Sequence, residues 1–373
     1  MSKQHDLDAL REQLDAIDTQ LFEAIAARTR VVAQIGALKA GDGRAIFDRD
    51  RERVVLERHL KLGETAGVSP QVAQALSRVV LESSHAKQAE EVSVSEEVKA
   101  FLLVGGLGGM GQLLQRELEA RGHAVDCVDR VDQHRLQSAV QRADIVVVCV
   151  PMAVAVEVAC EVAPWMRPDA LLCDINSLKL EICESMGRLA NCEVLGLHPM
   201  FGPSVSSLLR QKVVACEVKA GPLGTWLCRE LGQMGAEVVE TDPLTHDRMM
   251  AVVQVLVHFN TMVTGEALRR SGARIEQTLS FTSPIYRLEL AFIGRLYAQS
   301  PELYAEILMR NPASGEMRRH FLDASIAVHE TVEKGDREAF VQLFRAAGVS
   351  FADFGQEAMR ISDDLIERLV SRA

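Results

Sequence analysis

Near residue 90 the hydrophobic pattern of this chain changes, and the change divides its 373 residues into parts of different fold class. Over residues 6–40 apolar residues recur three or four positions apart without any proline, which predicts an amphipathic helix there. A second helix is predicted over 48–62. A third is predicted over 70–88, because a serine and a proline stand at its start. Residues 1–90 are therefore expected to form an all-helical domain.

After a polar stretch at 91–99, which is the candidate linker, short apolar runs rich in β-branched residues alternate with helical stretches. The runs are FLLVGG, HAVDCVD, ADIVVVCVP and ALLCDIN. This alternation is typical of an α/β domain with a parallel sheet, which we place at 100–203. Helical patterns return beyond it, at 243–270, 284–310 and 313–334. The region 204–373 is therefore predicted to be an all-α domain, and the whole chain to be a multi-domain protein.

Charge and cysteine usage exclude several function classes. The net charge of −11 argues against nucleic acid and against an anionic membrane as partners. No apolar run approaches the roughly 20 residues of a membrane helix, and the N-terminus lacks the apolar core of a signal peptide. The eight cysteines form no CxxC pair, which predicts free thiols in a reducing, cytoplasmic setting and no metal site.

Three arginine and lysine residues of the first helix predict an anion site that two chains share. Arg28 and Lys39 stand 11 residues apart, so they lie within about 20° of one helix face. Both adjoin apolar positions, where an unpaired cation is costly unless an anion binds. Arg11 precedes Arg28 by 17 residues, or about 25 Å of straight helix. The two cannot bind one small molecule within a chain, whereas an antiparallel second copy could supply Arg11. This geometry predicts a homodimer.

The second and third helices add polar residues that share helix faces. Asp48, Arg51 and Glu52 are spaced i, i+3 and i+4, and Ser84 and Gln88 are spaced i, i+4. Each group alone is typical of a solvated face. The complete set, however, resembles the all-α chorismate mutase domain over residues 5–90, through LDALREQLDAID, R-x-R-V-V-A-x-I-G-x-x-K, DRDRER and ESSHAKQ.

This resemblance implies a complete set of mutase side chains: Arg11 from the partner chain, Arg28, Arg51 and Ser84 near the substrate carboxylates, Lys39 and Gln88 on the ether oxygen, and Asp48 and Glu52 on the ring hydroxyl. The rearrangement of chorismate to prephenate is unimolecular, so it needs neither a nucleophile nor a metal. The protein has only to orient the substrate and to stabilise charge on the ether oxygen as the C–O bond breaks.

A glycine motif predicts a dinucleotide site in the second domain. Gly106-x-Gly108-x-x-Gly111 follows a predicted strand and opens a helix, and the next strand ends at Asp129, 23 residues after Gly106. The glycines would admit a pyrophosphate to the helix N-terminus of a Rossmann domain. Asp129 would bind the ribose hydroxyls and favour NAD over NADP. Further cofactor contacts are expected from the same turns: Leu107, Gly109, Met110, Val150 and Pro151. The alternative is a glycine turn that binds no nucleotide.

His198 is the candidate base of the second activity. By itself, a histidine next to a predicted strand is more often structural than catalytic. Together, however, DINSLK, GLHPMFGP, HDRMM, VHF and SPIYRLELAFIGRLYAQ resemble prephenate dehydrogenase over residues 100–373. With the mutase-like helices in front, the order resembles the bifunctional enzyme of tyrosine biosynthesis. The resemblance also implies that 204–373 is a helical substrate and dimerisation domain.

Under this resemblance His198 accepts the ring hydroxyl proton while hydride leaves the same carbon for NAD and carbon dioxide is lost, which gives 4-hydroxyphenylpyruvate. A neutral imidazole suits that role. Ser177 would hydrogen-bond both His198 and the substrate hydroxyl. Arg295 is the candidate for the ring carboxylate. Arg287 is a second choice, because it projects about 80° away on a helix, and its alternative is a structural ion pair.

Three further residues keep two interpretations each. His246 and His258 would contact the cofactor or the pyruvyl side chain, or else are satisfied interior histidines. Tyr304 would lie near the substrate, or else is a core residue.

Two other functions also stay open: a dehydrogenase of another hydroxy acid with a non-catalytic helical module at 1–88, and a binding protein that responds to NAD without catalysis. The complete mutase set argues against the first, and the His198 and Ser177 segments argue against the second.

Overall fold

The computed structural model describes residues 2–41, 49–90 and 94–370. By its internal contacts the chain forms two compact units, Met1–Pro243 and Leu244–Ala373, and each is described by itself.

Three helices open the first unit: α1 (Ser2–Gly41), α2 (Arg49–Thr65) and α3 (Pro70–Glu90). They confirm the predicted all-helical region, and α1 and α2 both pack on α3. Few side chains are fully buried between them, among them Val32, Ala73 and Ser77. The N-terminal half of α1 instead exposes its apolar stripe, since Leu10 is 56% and Leu14 59% accessible. The helices therefore pair at one end and leave an apolar face open at the other.

The rest of this unit is built on seven strands, β1 (Ala100–Val104), β2 (Ala124–Val128), β3 (Ile145–Val148), β4 (Leu171–Asp174), β5 (Glu193–Pro199), β6 (Lys212–Lys219) and β7 (Glu237–Thr241). They form one sheet in the order β2-β1-β3-β4-β5-β6-β7. All neighbours are parallel except β5 and β6. This confirms the predicted Rossmann-type α/β fold.

Helices connect the strands: α4 (Gly109–Ala120), α5 (Leu136–Arg142), α6 (Met152–Val162), α7 (Leu180–Leu189) and α8 (Pro222–Gln233), with short 3₁₀ turns at Arg130–Arg135 and Ala163–Trp165. Alternate residues of each central strand enter different cores. In β1, Leu102 and Val104 join one apolar cluster, while Phe101 and Leu103 join the other. Because both faces are covered, the central strands are apolar throughout, which explains their unbroken hydrophobic runs.

The sheet extends beyond the domain boundary predicted at residue 203. β6 pairs with β5, β7 pairs with β6, and the two compact units divide between Pro243 and Leu244. The α/β domain predicted at 100–203 is thus corrected to include β6, α8 and β7. The sequence analysis missed this extension because the Gly202-Pro203 turn looks like the end of the domain, although the chain returns as an antiparallel strand.

The second unit is helical, as predicted. Its helices are α9 (Pro243–Met250, which begins at the last residue of the first unit), α10 (Val257–Ser271), α11 (Ile275–Leu279), α12 (Pro284–Tyr297), α13 (Pro301–Arg310), α14 (Ser314–Glu333), α15 (Arg337–Val349) and α16 (Gly355–Val370). One π-helical segment, Ala251–Leu256, joins α9 to α10. The predicted stretches at 284–310 and 313–334 are helical almost to the residue.

Within the described part of the chain, no helix has the length and apolar character needed to cross a membrane. All eight cysteines are free thiols. The cytoplasmic location stays a prediction.

Candidate active sites

Arg28 and Ser84, two of the predicted mutase residues, are in contact. The Arg28 Nη1 donates to the backbone oxygen of Val80 at 3.2 Å and to the Ser84 hydroxyl, which is itself buried. Burial and, after it, the charge of Arg58 lower the pKa of Arg28. The packing of α1 on α3 therefore holds a half-buried guanidinium in place, as an anion site on an acidic protein requires.

Arg58 and His59 of α2 belong to the same cluster, although the sequence analysis named neither. Burial lowers the pKa of His59, and the charges of Arg28 and Arg58 add to this effect. A signal was available for Arg58, since it follows Arg51 by seven residues and so lies on the same helix face. The two arginines thus concentrate positive potential between α1 and α2, with His59 beside them.

Glu52, predicted to bind the ring hydroxyl, is paired with an arginine of the sheet domain. Arg210 Nη2 donates to both carboxylate oxygens of Glu52. Arg210 stands between β5 and β6 with a φ of 61°, a left-handed conformation that is uncommon for residues other than glycine. Its backbone nitrogen donates to Gly235 O at 2.8 Å, which anchors the turn. Nothing in the sequence pointed to this arginine.

The remaining mutase predictions are less constrained by the structure. Arg11 has a side chain 63% exposed and pairs with Asp8 at 3.2 Å, on the half of α1 whose apolar stripe is open. Arg51 is exposed. The side chains of Lys39 and Gln88 and the whole of Asp48 lie outside the described residues.

The glycine motif forms a tight turn between β1 and α4 that only glycine fits. A Cβ on Gly106 would lie 2.6 Å from Cys127 Sγ, and one on Gly111 would lie 2.5 Å from Gly106 O. Asp129 closes the turn, because its Oδ2 accepts a hydrogen bond from Leu107 N at 2.9 Å. α4 begins at Gly109 with Gly108 as its N-cap. A turn of this kind at a helix N-terminus fits the pyrophosphate and ribose of a dinucleotide.

Other predicted cofactor residues surround this turn. A Cβ on Gly105 would lie 2.8 Å from Val150 Cγ1, so the end of β3 touches the turn. A Cβ on Gly109 would lie 3.0 Å from Pro203, which follows β5. Met110 is half-buried, and Pro151 is the exposed N-cap of α6. The loop that follows His198 therefore lies against the glycine turn.

His198 lies inside β5, not just past a strand as predicted. It pairs with Val214 of β6 and is only 2% exposed. Ser177 is half-buried in the loop between β4 and α7, and β4 neighbours β5. Parallel strands bring their carboxyl ends to one sheet edge, so both predicted catalytic residues stand at the edge that carries the glycine turn.

A fully buried ion pair stands next to His198. Lys179 Nζ contacts the carboxylate of Asp174 and donates to Leu197 O at 2.7 Å, and neither charged side chain is exposed. Burial raises the pKa of Asp174, and Lys179 only partly opposes this. No role had been predicted for either residue. The signal that the sequence analysis left unused was Asp174 at the end of an apolar strand with Lys179 five residues later.

In the second unit three of the predicted residues form a group. The rings of His258 and Tyr304 meet edge to face with centroids 4.9 Å apart. Burial lowers the pKa of His258. Burial also raises the pKa of Tyr304, whereas the charge of Arg295 acts in the opposite direction and shows that Arg295 is near. Arg295 and Arg287 both lie on the exposed surface of α12.

His246 has the environment of a structural histidine. It is 1% exposed, and its Nδ1 lies 2.8 Å from Asp247 Oδ1. Asn311 Nδ2 in turn donates to Asp247 O at 2.8 Å and ties α9 to the end of α13. A role for His246 in binding stays a prediction.

Comparison with known proteins places these sites in one family. The model of chorismate mutase type II matches residues 10–89. The nucleotide-binding domain of prephenate dehydrogenase matches 111–222, and its dimerization domain matches 242–346. The chain is 32% identical to the T-protein of Haemophilus influenzae over 99% of its own length and 98% of that protein. It is also 32% identical to the T-protein of Enterobacter agglomerans, with 97% of each chain covered.

A solved structure of prephenate dehydrogenase from A. aeolicus, in complex with hydroxyphenyl propionate and NAD+, shares the fold. Its TM-score is 0.57 at 17% identity, over 70% of this chain and 99% of that one. The full-length identity and the order of the three domains together show that this chain belongs to the T-protein family of tyrosine biosynthesis, as a bifunctional enzyme that joins a chorismate mutase to an NAD-dependent prephenate dehydrogenase.

Proposed function

We propose that the two activities of this chain use two separate sites, one between α1, α2 and α3 and one at the carboxyl edge of the sheet. The observation that carries this proposal is the placement of the two key side chains. Arg28 is held by Ser84 and Val80 of α3, whereas His198 is buried in β5 beside the loop that touches the glycine turn.

At the mutase site the protein supplies positive potential and no nucleophile. Arg28 and Arg51 would bind the carboxylates of chorismate, with Arg58 adding to the potential. Lys39 and Gln88 would donate to the ether oxygen, on which negative charge builds as the bond breaks. Because the reaction is unimolecular, orientation and electrostatics account for the catalysis.

We further propose that a second copy of the chain completes the mutase site. Arg11 is separated from Arg28 by about 25 Å of helix. The apolar stripe around Arg11, which includes Leu10 and Leu14, is exposed. An antiparallel second α1 would cover this stripe and bring the partner's Arg11 to the site. The match of 242–346 to a dimerization domain supports the same assembly.

At the dehydrogenase site His198 would take the proton of the ring hydroxyl. Ser177 would orient that hydroxyl, and Arg295 would bind the ring carboxylate, with His258 as a further candidate for the pyruvyl side chain. NAD, when bound at the glycine turn and Asp129, supplies the hydride acceptor. His198 is only 2% exposed in β5, so bulk water has little access to the imidazole that would act as the base.

Two absorbance assays test the proposal. Chorismate should disappear without NAD, and NADH should form from prephenate. His198→Asn should strongly reduce only the second signal, because Asn cannot accept the proton. Loss of both signals in a folded variant would contradict the separation of the two sites.

A further inference from the structure

The buried pair of Asp174 and Lys179 has no part in the mechanism above, yet it contacts both segments that carry the proposed catalytic residues. The two charged side chains are completely inaccessible, and burying a pair of this kind is costly unless its geometry is fixed by further hydrogen bonds. Two of those further bonds end on segments of the dehydrogenase site.

The first bond ends on the strand of His198. The last pair between β4 and β5 joins Asp174 to Gly196, so β4 offers no partner to the next residue of β5. Lys179 Nζ takes that place and donates to Leu197 O at 2.7 Å. The Leu197 carbonyl belongs to the peptide unit that contains the His198 nitrogen. The ammonium group therefore fixes the peptide plane directly before His198.

The second bond shapes the loop of Ser177. Asp174 Oδ2 accepts from Asn176 N at 2.9 Å and also contacts Lys179 Nζ. One carboxylate oxygen thus closes the six-residue segment from Asp174 to Lys179, in which Ser177 stands. The other oxygen, Oδ1, is buried and has no hydrogen-bond partner within the described residues.

The strand leaves room for the lysine at one glycine. A Cβ on Gly196 would lie 2.4 Å from Cys183 Sγ, 3.0 Å from Lys179 Cδ and 3.4 Å from Asp174 Oδ1. A side chain at Gly196 would therefore press on both Cys183 and the lysine. Gly196, Lys179 and Asp174 are therefore packed closely against one another.

We infer that Asp174 and Lys179 are positioning residues of the dehydrogenase, which hold Ser177 and His198 in their relative placement through Asn176 N and Leu197 O. Neither residue contacts the reacting atoms in this scheme. The inference rests on the proposed role of His198, and its test must therefore separate the two claims.

The test uses Lys179→Met with Asp174→Asn in one chain, because this double change removes both charges and leaves no buried ion unpaired. Prephenate oxidation, the KM for NAD and mutase activity are measured, each also in the His198→Asn background. We expect kcat for prephenate oxidation to fall at least tenfold, while the KM for NAD and mutase activity stay within twofold. In the His198→Asn background the double change should cost less than twofold, because residues that act through one another are not additive.

A matched control neutralises another buried ion pair of the same sheet. Arg121 and Glu230 pair beside the amino end of β1, at the edge opposite His198. Arg121→Met with Glu230→Gln should lower Tm by a similar amount and leave prephenate oxidation within twofold. If the first double variant does not fold, Gly196→Ala with Cys183→Ala replaces it, since the second change removes the Sγ clash and the new methyl group then presses on the lysine while every charge is kept.

The outcomes are distinct. The inference is overturned if the double change lowers kcat by less than tenfold. It is also overturned if the double change slows the wild-type chain and the His198→Asn chain by the same factor. If His198→Asn alone still oxidises prephenate at a normal rate, the proposed function fails and the inference fails with it. Loss that depends on His198, with normal mutase activity, supports it.

Discussion

The three N-terminal helices and the sheet domain bury their apolar residues to very different extents. Phe101, Leu102 and Leu103 of β1 are at most 2% exposed, whereas Leu10 and Leu14 of α1 are more than half exposed. The sheet has its cores on both faces within one chain. The three helices bury only part of their apolar residues within one chain. A site in the sheet domain can therefore rest on buried strands, while the site on the helices would, as proposed, need a second chain to complete it.

The largest effect is expected for His198→Asn, which tests whether the site in the sheet domain works independently of the site on the helices. Loss of the general base should slow prephenate oxidation by about a thousandfold. Mutase activity should stay within twofold, because the hydrogen bonds described for Arg28 and Ser84 join α1 to α3 and not to β5. Stopped-flow formation of NADH and loss of chorismate absorbance measure the two rates. A slow dehydrogenase with an equally slow mutase would contradict two independent sites.

The second prediction concerns Lys39. Lys39→Ala should slow the mutase at least a hundredfold, the scale of one oriented donor to developing charge. Prephenate oxidation by the same preparation serves as the control for folding. A loss below threefold would assign Lys39 to the solvated helix face.

Complementation between two variant chains tests directly whether two chains share the mutase site. Arg11→Ala and Arg28→Ala chains should each lack mutase activity when expressed alone. Co-expressed, they should regain about a quarter of the wild-type activity, because half of the dimers are mixed and each mixed dimer has one intact site. Activity that does not return on mixing would place Arg11 outside the site.

The smallest effect is expected for Glu230→Gln, which tests how an ion pair stabilises the sheet domain. Burial alone would raise the pKa of Glu230, but hydrogen bonds from His123 and Arg121 outweigh burial and lower it to about 2. A depressed carboxyl pKa stabilises the fold above its unfolded value of 4.5 and loses this effect as pH falls toward 2. Glu230→Gln should therefore lower the free energy of unfolding at pH 7 by about 1–3 kcal/mol. The difference should shrink below pH 4.5 in denaturant titrations, and a constant difference would contradict the assignment.

The sequence predicted what depends on local pattern. The helices around Arg28, the alternation of strands and the glycine turn of Gly106 all follow from periodicity and short-range sterics, and each was found where the pattern indicated. The extension of the sheet to β7 was missed, because an antiparallel return after a Gly-Pro turn depends on which edge is free. Lys179 and Arg210 were missed for a related reason. Their partners, Leu197 and Glu52, are distant in sequence, and only the folded chain brings them together.

The contact of Arg210 with Glu52 also limits how far the two enzymes can be separated. Arg210 stands in a turn of the sheet domain and has a left-handed backbone conformation. Its side chain pairs with the carboxylate of Glu52 in α2. A helical fragment that ends at Glu90 would have the mutase residues of its own helices but not this cation. If Glu52 serves the mutase as proposed, the fused sheet domain supplies a part of that site which separate expression would lose.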